Sequence, residues 1–444
     1  MRKQLTVAAA VAAALASTGA FALNEAGTAG AQITLIVSGA SAQRDAFNNE
    51  LKKLCNNAGA TDFDTYSADD GNSATSEDFR VYSCTLDSNA DNANVPVGIQ
   101  NQTVAVYYRS EGGSVYGVGP LLSTNPTFAT GVKRILVNTA TPCSNPGVTG
   151  SHTCPIVGYS LTSDSDATSP SRLDTEPTDL GISDVEPKQF TGANWPVFGT
   201  SVLGNAPTPA QLSSLNSSAQ ATTGTVFGIL VSNSGPTAGL TNISREAVSS
   251  IFSGVVTDWG SVDDGAGNAL AAGPITVCRR EPGSGTQVAA SIYFTGTGCS
   301  SAPLTFLADP AAIENSTSTQ MNTCVAQSGA IGFRNVGSNP TGAHFVQLDG
   351  QDATKKNAAL GRYQFNFEAT SQKRTGLAGT KLTLANTLIS FAQKQAALNT
   401  ALNDSTFALP TFNAPATFAK ANSTQPVALG LRNKSSCKSQ LQLN

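Results

Sequence analysis

The apolar residues of this chain fall into short runs separated by turns of Gly, Ser and Pro, and the runs alternate between strand-like and helix-like spacing. Residues 32–38 (QITLIVS) form a run suited to a buried strand. Gly39-Ala40-Ser41-Ala42 then opens a segment in which Ala46, Phe47 and Leu51 recur at helical spacing. Residues 103–110 (TVAVYYRS) alternate as a strand and end at Glu111-Gly112-Gly113, after which a further helical stretch is expected. LGISDVEP (180–187) is an ordered segment, and TVFGILVS (225–232) a buried strand followed by the turn Ser234-Gly235-Pro236. Asn242 or Ser244 caps a helix carrying Val248, Ile251 and Phe252. Residues 274–294 repeat the order of strand, Gly/Ser turn and helix, with Val288, Ile292 and Phe294 on the helix's apolar side. Residues 328–337 read as one more buried strand, and Leu382 to Leu402 as a long amphipathic helix without Pro or Gly. Strands alternating with helices predict an α/β architecture with largely parallel sheets. From Pro142 to Thr178 the chain is rich in Ser, Thr, Asp, Pro and Gly and reads as loop or insertion.

The start of the chain adds a location. Arg2 and Lys3, the apolar run Leu5–Leu15 and the triplet Ala20-Phe21-Ala22 form the pattern of a cleavable export signal covering residues 1–22. No cysteine follows the cleavage site and no later apolar stretch is long enough to span a bilayer, so a periplasmic or secreted protein with neither a lipid anchor nor a membrane insertion is expected. The mature part, about 420 residues, is long enough for two or three domains. Only 13% of residues are charged and the net charge is −4, so there is no basic field to hold nucleic acid, and any bound anion must be held by a local site. Eight cysteines in an exported chain favour disulfides. Cys143 with Cys154 would close a Gly/Pro/Ser-rich loop and Cys55 with Cys84 an acidic, Asn-rich one; the pairing of Cys278, Cys299, Cys324 and Cys437 is open.

The candidate chemistry lies in the turn Gly283-Ser284-Gly285-Thr286. A helix start exposes unpaired N–H groups and the positive end of the helix dipole, so a small-residue turn between strand and helix can cradle an oxyanion. The Ser284 and Thr286 hydroxyls add donors, and Arg280 at the strand end can deliver a forked pair of hydrogen bonds. No Gly-Lys-Ser/Thr ends the turn, which disfavours a nucleotide loop. By strand alternation Arg279 points away from Arg280, toward solvent. Trp259 and Phe252 read as core. His152 and His344 are two histidines far apart in sequence, so no metal site and no cofactor is expected.

The run RREPGSGTQ, preceded by LTNISREAVSSIFSGVVTDWG and followed by GAIGF, resembles the second lobe of periplasmic phosphate-binding proteins of ABC transporters. Ile251, Phe252, Gly254 and Trp259 stand at the family's positions. VSGASAQ (37–43) resembles its first anion loop, through Ser41 and the Ala42 N–H. YYRSEGGS (107–114) resembles its second, through Ser110, and GISDVEP (181–187) its ligand-facing acid, Asp184. The resemblance implies a two-lobed type II binding-protein fold, each lobe a mixed, mostly parallel sheet flanked by helices. Lobe one would comprise 23–224 and 343–444, with polar insertions near 142–178 and 188–222; lobe two would be 225–342, with hinge crossings near Gly224 and Gly342. It implies a phosphate site built from Ser41, Ala42, Ser110, Asp184, Arg280, Ser284, Gly285 and Thr286. It also implies an ABC permease as partner, a monomer and no catalytic residue. Where the family braces its arginine with Asp two residues on, this chain has Pro282, so Glu281 or another carboxylate would have to serve.

Asp184 makes chemical sense in an anion site. Phosphate near neutral pH carries a proton that a carboxylate can accept, whereas sulfate offers only lone pairs and is repelled. The plainer role for Asp184 is a helix cap or Asx-turn. Two other functions compete: a secreted surface or matrix protein reusing the scaffold, which the polar insertions fit, and a phosphate-ester hydrolase, which two histidines and the lack of GxSxG disfavour.

Overall fold

A computed structural model of the chain describes residues 25–55, 63–69, 79–88, 94–122, 131–139, 141–145, 149–156, 172–196, 206–299, 312–337, 339–393, 405–409, 430–438 and 441–442. The expected signal at 1–22 lies outside them, as do residues 394–402 of the expected long helix and 157–171 of the polar stretch. Its strands are β1 (Ile33–Gly39), β2 (Asp64–Asp69), β3 (Phe79–Thr85), β4 (Thr103–Arg109), β5 (Val132–Ile135), β6 (Ser151–Pro155), β7 (Leu173–Glu176), β8 (Leu180–Ser183), β9 (Gln220–Ser232), β10 (Asn242–Ile243), β11 (Thr276–Arg280), β12 (Ile313–Asn315), β13 (Ala330–Asn335), β14 (Ala343–Leu348), β15 (Asn366–Lys373), β16 (Thr406–Ala408), β17 (Gly430–Leu431) and β18 (Leu441–Gln442). The main sheet runs β6-β2-β3-β4-β1-β8-β15-β9-β13-β11-β12.

The fold is α/β and two-lobed. In lobe one β1 lies parallel between β4 and β8; in lobe two β11 lies parallel between β12 and β13. Strand β9 joins the two. Gln220–Val226 pair with β15, while Phe227–Val231 pair with β13 and Ile229–Ser232 with β14. Its last eleven residues are buried, which suits the apolar run of 225–232. The strand starts five residues earlier than that run because polar Gln220–Gly224 find partners in β15 and β16, and the Thr222 hydroxyl donates to the Ala369 carbonyl at 3.3 Å.

Each sheet half is covered by helices whose apolar spacing the sequence announces. Helix Arg44–Leu54 lays Phe47, Leu51 and Leu54 on Leu35, Val37, Val106 and Tyr108, and helix Gly379–Gln393 adds Leu384, Leu388 and Phe391. The same face of Arg44–Leu54 also buries Glu50. In lobe two, alternation along β11 sends Val277 to one face and Cys278 to the other, where helix Ser318–Val325 packs Met321 and Val325. Ser244 is the cap of helix Arg245–Phe252, accepting the Ala247 N–H at 3.1 Å. Phe252 packs edge-on against Phe294 (5.3 Å) and Phe333 (5.4 Å), and Trp259 is fully buried with its indole N–H on the Gly329 carbonyl, so both are core residues as read.

Three local expectations are corrected. After Glu111 the chain makes two 3-10 turns, Gly113–Gly117 and Gly119–Leu121, in place of a helix, because the glycines and Pro120 oppose a longer one. The stretch from Pro142 to Thr178 contributes strands as well as loop. β6 extends the sheet beside β2, and β7 pairs with β5, with Arg134 placed at 3.2 Å from Asp174 and 3.3 Å from Glu176. Within 188–222, Thr208 forms a capping box for a helix at Pro209–Ser218, and Trp195 is fully buried.

Both expected disulfides, Cys55–Cys84 and Cys143–Cys154, are formed, and Cys278–Cys324 and Cys299–Cys437 complete the set. Among the described residues no helix is long and apolar enough to cross a membrane.

Candidate anion site

Strand ends from both lobes meet at the junction. β1 stops at Gly39, whose φ of +129° and whose position, with a would-be Cβ 1.8 Å from the Ile182 carbonyl oxygen, admit only glycine. The next turn is pinned twice: the Ala40 N–H donates to the Ile182 carbonyl (2.9 Å), and the Tyr108 hydroxyl donates to the Ala40 carbonyl (2.8 Å). Ser41 and Ala42 sit half-buried in it. Gln43, which follows, is buried; its Nε2 donates to Thr225 Oγ1 at 2.7 Å and Asp184 Oδ1 at 3.3 Å, while its Oε1 accepts from the Thr223 hydroxyl at 3.1 Å.

β4 delivers the second turn. Arg109 is buried against Glu111 (3.3 Å) and lies 4.4 Å over the Tyr116 ring; Ser110 is buried beside it. Four residues on, Ser114 meets Asp184 twice, accepting its backbone N–H (3.1 Å) and donating to its Oδ2 (3.0 Å). Asp184 follows β8 directly and is 3% exposed.

Lobe two brings β11 and the Gly283–Thr286 turn. The Arg280 backbone N–H donates to Gln287 Oε1 (3.0 Å), and its guanidinium donates through Nε to the Asn315 carbonyl (3.1 Å) and through Nη2 to the Ser316 carbonyl (2.7 Å). The arginine is thus oriented by the carbonyl of Asn315 at the end of β12, which lies beside β11, and by that of Ser316 just past it. The same strand corrects Arg279, which is buried and paired with Glu314 at 2.9 Å instead of solvated. Helix Gly285–Ala290, continued by a π-turn to Thr295, starts at the turn, with Ser284 and Thr286 both buried.

The two lobes touch here. A Cβ on Gly285 would lie 2.2 Å from Ser114 Oγ and 2.7 Å from Asp184 Cβ, so only a glycine lets the helix start approach the acid. The Val115 N–H donates across the junction to the Gly283 carbonyl at 2.9 Å. Burial pushes the Asp184 carboxyl above its ordinary range, opposed by the hydrogen bonds from Gln43 and Ser114 and by the charge of Arg280. A carboxylate held among neutral donors, next to an arginine and a helix start, can accept a hydrogen bond from the protonated oxygen of an anion whose other oxygens the positive groups hold.

The structure thus brings Asp184, Arg280, Ser284, Gly285 and Thr286 to one junction, with Ser41, Ala42 and Ser110 on the two turns that frame it. Gln43, Ser114 and Gln287 escape the sequence reading. Ser114 carried a signal, since Gly112-Gly113-Ser114 is a small-residue turn of the kind that singles out 283–286; Gln43 and Gln287 carried none. Among the described residues no group of three or more His, Cys, Asp or Glu is placed to hold a metal.

Residues 225–409 match the family described as PBP superfamily domain. Solved structures similar to this chain include a putative phosphate ABC transporter substrate-binding protein with bound phosphate from Clostridium perfringens (13% identity, covering 82% of this chain and 94% of that chain, TM-score 0.41). An ABC-type phosphate transport receptor from Vibrio cholerae is also similar (19% identity, 55% and 83% covered, TM-score 0.35), as is a high affinity periplasmic phosphate-binding protein (13% identity, 74% and 96% covered, TM-score 0.38). No curated protein matches the chain. The matched residues include Arg280 and the 283–286 turn, whereas Ser41, Ser110 and Asp184 lie outside them.

Proposed function

We propose that this chain is an extracytoplasmic solute-binding protein that closes its lobes around inorganic phosphate or a similar tetrahedral oxyanion, does no chemistry on it, and passes it to the permease of an ABC transporter. The match of residues 225–409 to the family described as PBP superfamily domain supports the broad role. The observation that carries the finer one is the contact of Gly285 with Asp184 and Ser114, which sets a helix start and Arg280 from one lobe against a buried carboxyl from the other. Ser41, Ala42, Ser110, Ser284 and Thr286 supply the remaining donors in this proposal.

We assign lobe two to the chain from residue 225 through β14, with the first crossing near Gly224, supported by the change of β9's partners between Val226 and Phe227. The return crossing is assigned between Leu348 and Asn366 instead of at Gly342, because β14 still pairs with 229–232. Hinge closure then brings the lobes over the anion.

Titration calorimetry on phosphate-stripped protein tests the proposal. Phosphate gives a saturable heat, sulfate gives none at the same concentration, and Arg280→Ala abolishes the signal. Asp184→Asn removes the repulsion and narrows the gap between the two anions. Absence of heat with phosphate, or unchanged selectivity in Asp184→Asn, defeats the assignment.

A further inference from the structure

The end of the chain crosses from one lobe to the other. On lobe one, Glu368 of β15 accepts from the backbone N–H groups of Arg432, Asn433 (3.3 Å) and Lys434 (2.9 Å), and the Arg432 guanidinium donates to the Gln364 carbonyl (2.9 Å) while lying 4.9 Å over Phe367. The Lys434 ammonium donates to the Ala219 carbonyl at 2.6 Å. Glu186, two residues past Asp184, accepts from both the backbone N–H (2.8 Å) and the hydroxyl of Ser436. The next residue, Cys437, is bonded to Cys299 of lobe two. Cys299 lies just beyond the helix that starts at Gly285. That helix is therefore fixed to lobe one at both ends, at Gly285 by packing on Asp184 and Ser114 and past Thr295 by a covalent strap.

Exposure separates this bridge from the other three. The six cysteines of Cys55–Cys84, Cys143–Cys154 and Cys278–Cys324 are each 4% exposed or less, whereas Cys299 and Cys437 are both exposed. Thiol–disulfide exchange needs a line of attack on a sulfur, so access decides which bridge reacts in the folded protein.

We infer that Cys299–Cys437 is a thiol-exchange site for a dithiol reductant, and that opening it releases the strap that holds the lobes closed. The dithiol's thiolate attacks one sulfur of the bridge; a mixed disulfide forms, the Cys299–Cys437 bond breaks, and the other cysteine leaves as a thiolate that takes up a proton. The dithiol's second thiol, after losing its proton, displaces the first cysteine. Two electrons and two protons pass to the bridge, and the dithiol is left as a disulfide.

The test uses the whole protein under graded dithiothreitol, with alkylation sites mapped by mass spectrometry and the radius of gyration measured by small-angle scattering without added anion. Cys299 and Cys437 are expected to alkylate first, with the other six protected until the protein unfolds. The radius is expected to rise on mild reduction and in the Cys299→Ser/Cys437→Ser double variant. Phosphate release, followed by stopped flow, is expected to quicken by at least about fivefold, the low end of coupling between linked sites. Labelling of another pair first, or an unchanged radius in the selectively reduced protein, overturns the inference. Selective reduction of the unmutated protein keeps the test decisive should the double variant fail to fold. Labelling and scattering do not involve phosphate, so they test the strap even if the anion assignment fails.

Discussion

Glu50 is expected to make the protein lose stability as pH rises, and Glu50→Gln to remove that loss. Glu50 lies on the buried face of helix Arg44–Leu54, in a cavity of about 20 Å³ shared with Gln43, Phe47, Thr223, Ser371 and Leu388. Burial alone pushes its carboxyl from 4.5 to about 8. Between those values the folded protein keeps the proton and the unfolded chain releases it, so the unfolded state binds fewer protons and stability falls with rising pH. The slope is about 1.4 kcal/mol per pH unit, and the full loss, reached above about pH 8, is on the order of 5 kcal/mol. Below about pH 4.5 Glu50 is protonated in both folded and unfolded protein, so the difference between wild type and Glu50→Gln should stop changing with pH. Urea unfolding of wild type and Glu50→Gln from about pH 5 to about pH 9 reads the difference directly, and it isolates Glu50 from Asp184 and Glu368, whose carboxyls burial also raises. Stability curves that stay parallel across this range would refute the reasoning, because the side chain would then have found a partner or solvent.

Gly285→Ala should weaken phosphate binding by about 1–3 kcal/mol in calorimetry through the clash with Ser114 and Asp184; unchanged affinity would mean the lobes do not meet as described. Gln43→Leu should cost about 1–3 kcal/mol in chemical denaturation, since it takes a donor from the buried Asp184 carboxylate. That donor holds the Asp184 carboxyl down, so the penalty should grow as pH rises through its raised titration range, and a pH-independent penalty would argue against the contact. Phe252→Ala should cost about 3–5 kcal/mol by emptying the space between Phe294 and Phe333, and a loss below about 1 kcal/mol would contradict the packing.

Much of this was legible from local rules. β1 with its helix and β11 with its helix both announce themselves, because an apolar run followed by small residues and then helical spacing uses information within about twenty positions of chain. Cys143–Cys154 closes a short loop and was readable for the same reason. What escaped depends on partners far away in sequence. Ser114 meets Asp184 across 70 positions and Gln43 meets it across 141. The fates of Arg279 and Arg280 follow from β12, a three-residue strand whose pairing with β11 no periodicity foretells. Gln220–Gly224 looked too polar for a strand because hydroxyls that bond to a neighbouring ladder are indistinguishable, in sequence, from hydroxyls that face water.

One strand serving both halves has a mechanical consequence. Two halves hung on slack cords could swing freely, but here any opening would have to bend the ladder that β9 makes with β15 and β13, stretching its hydrogen bonds as the angle grows. The connection behaves as a leaf spring with a restoring torque. Its amides should therefore be among the last to exchange with deuterium, even while the mouth of the cleft breathes.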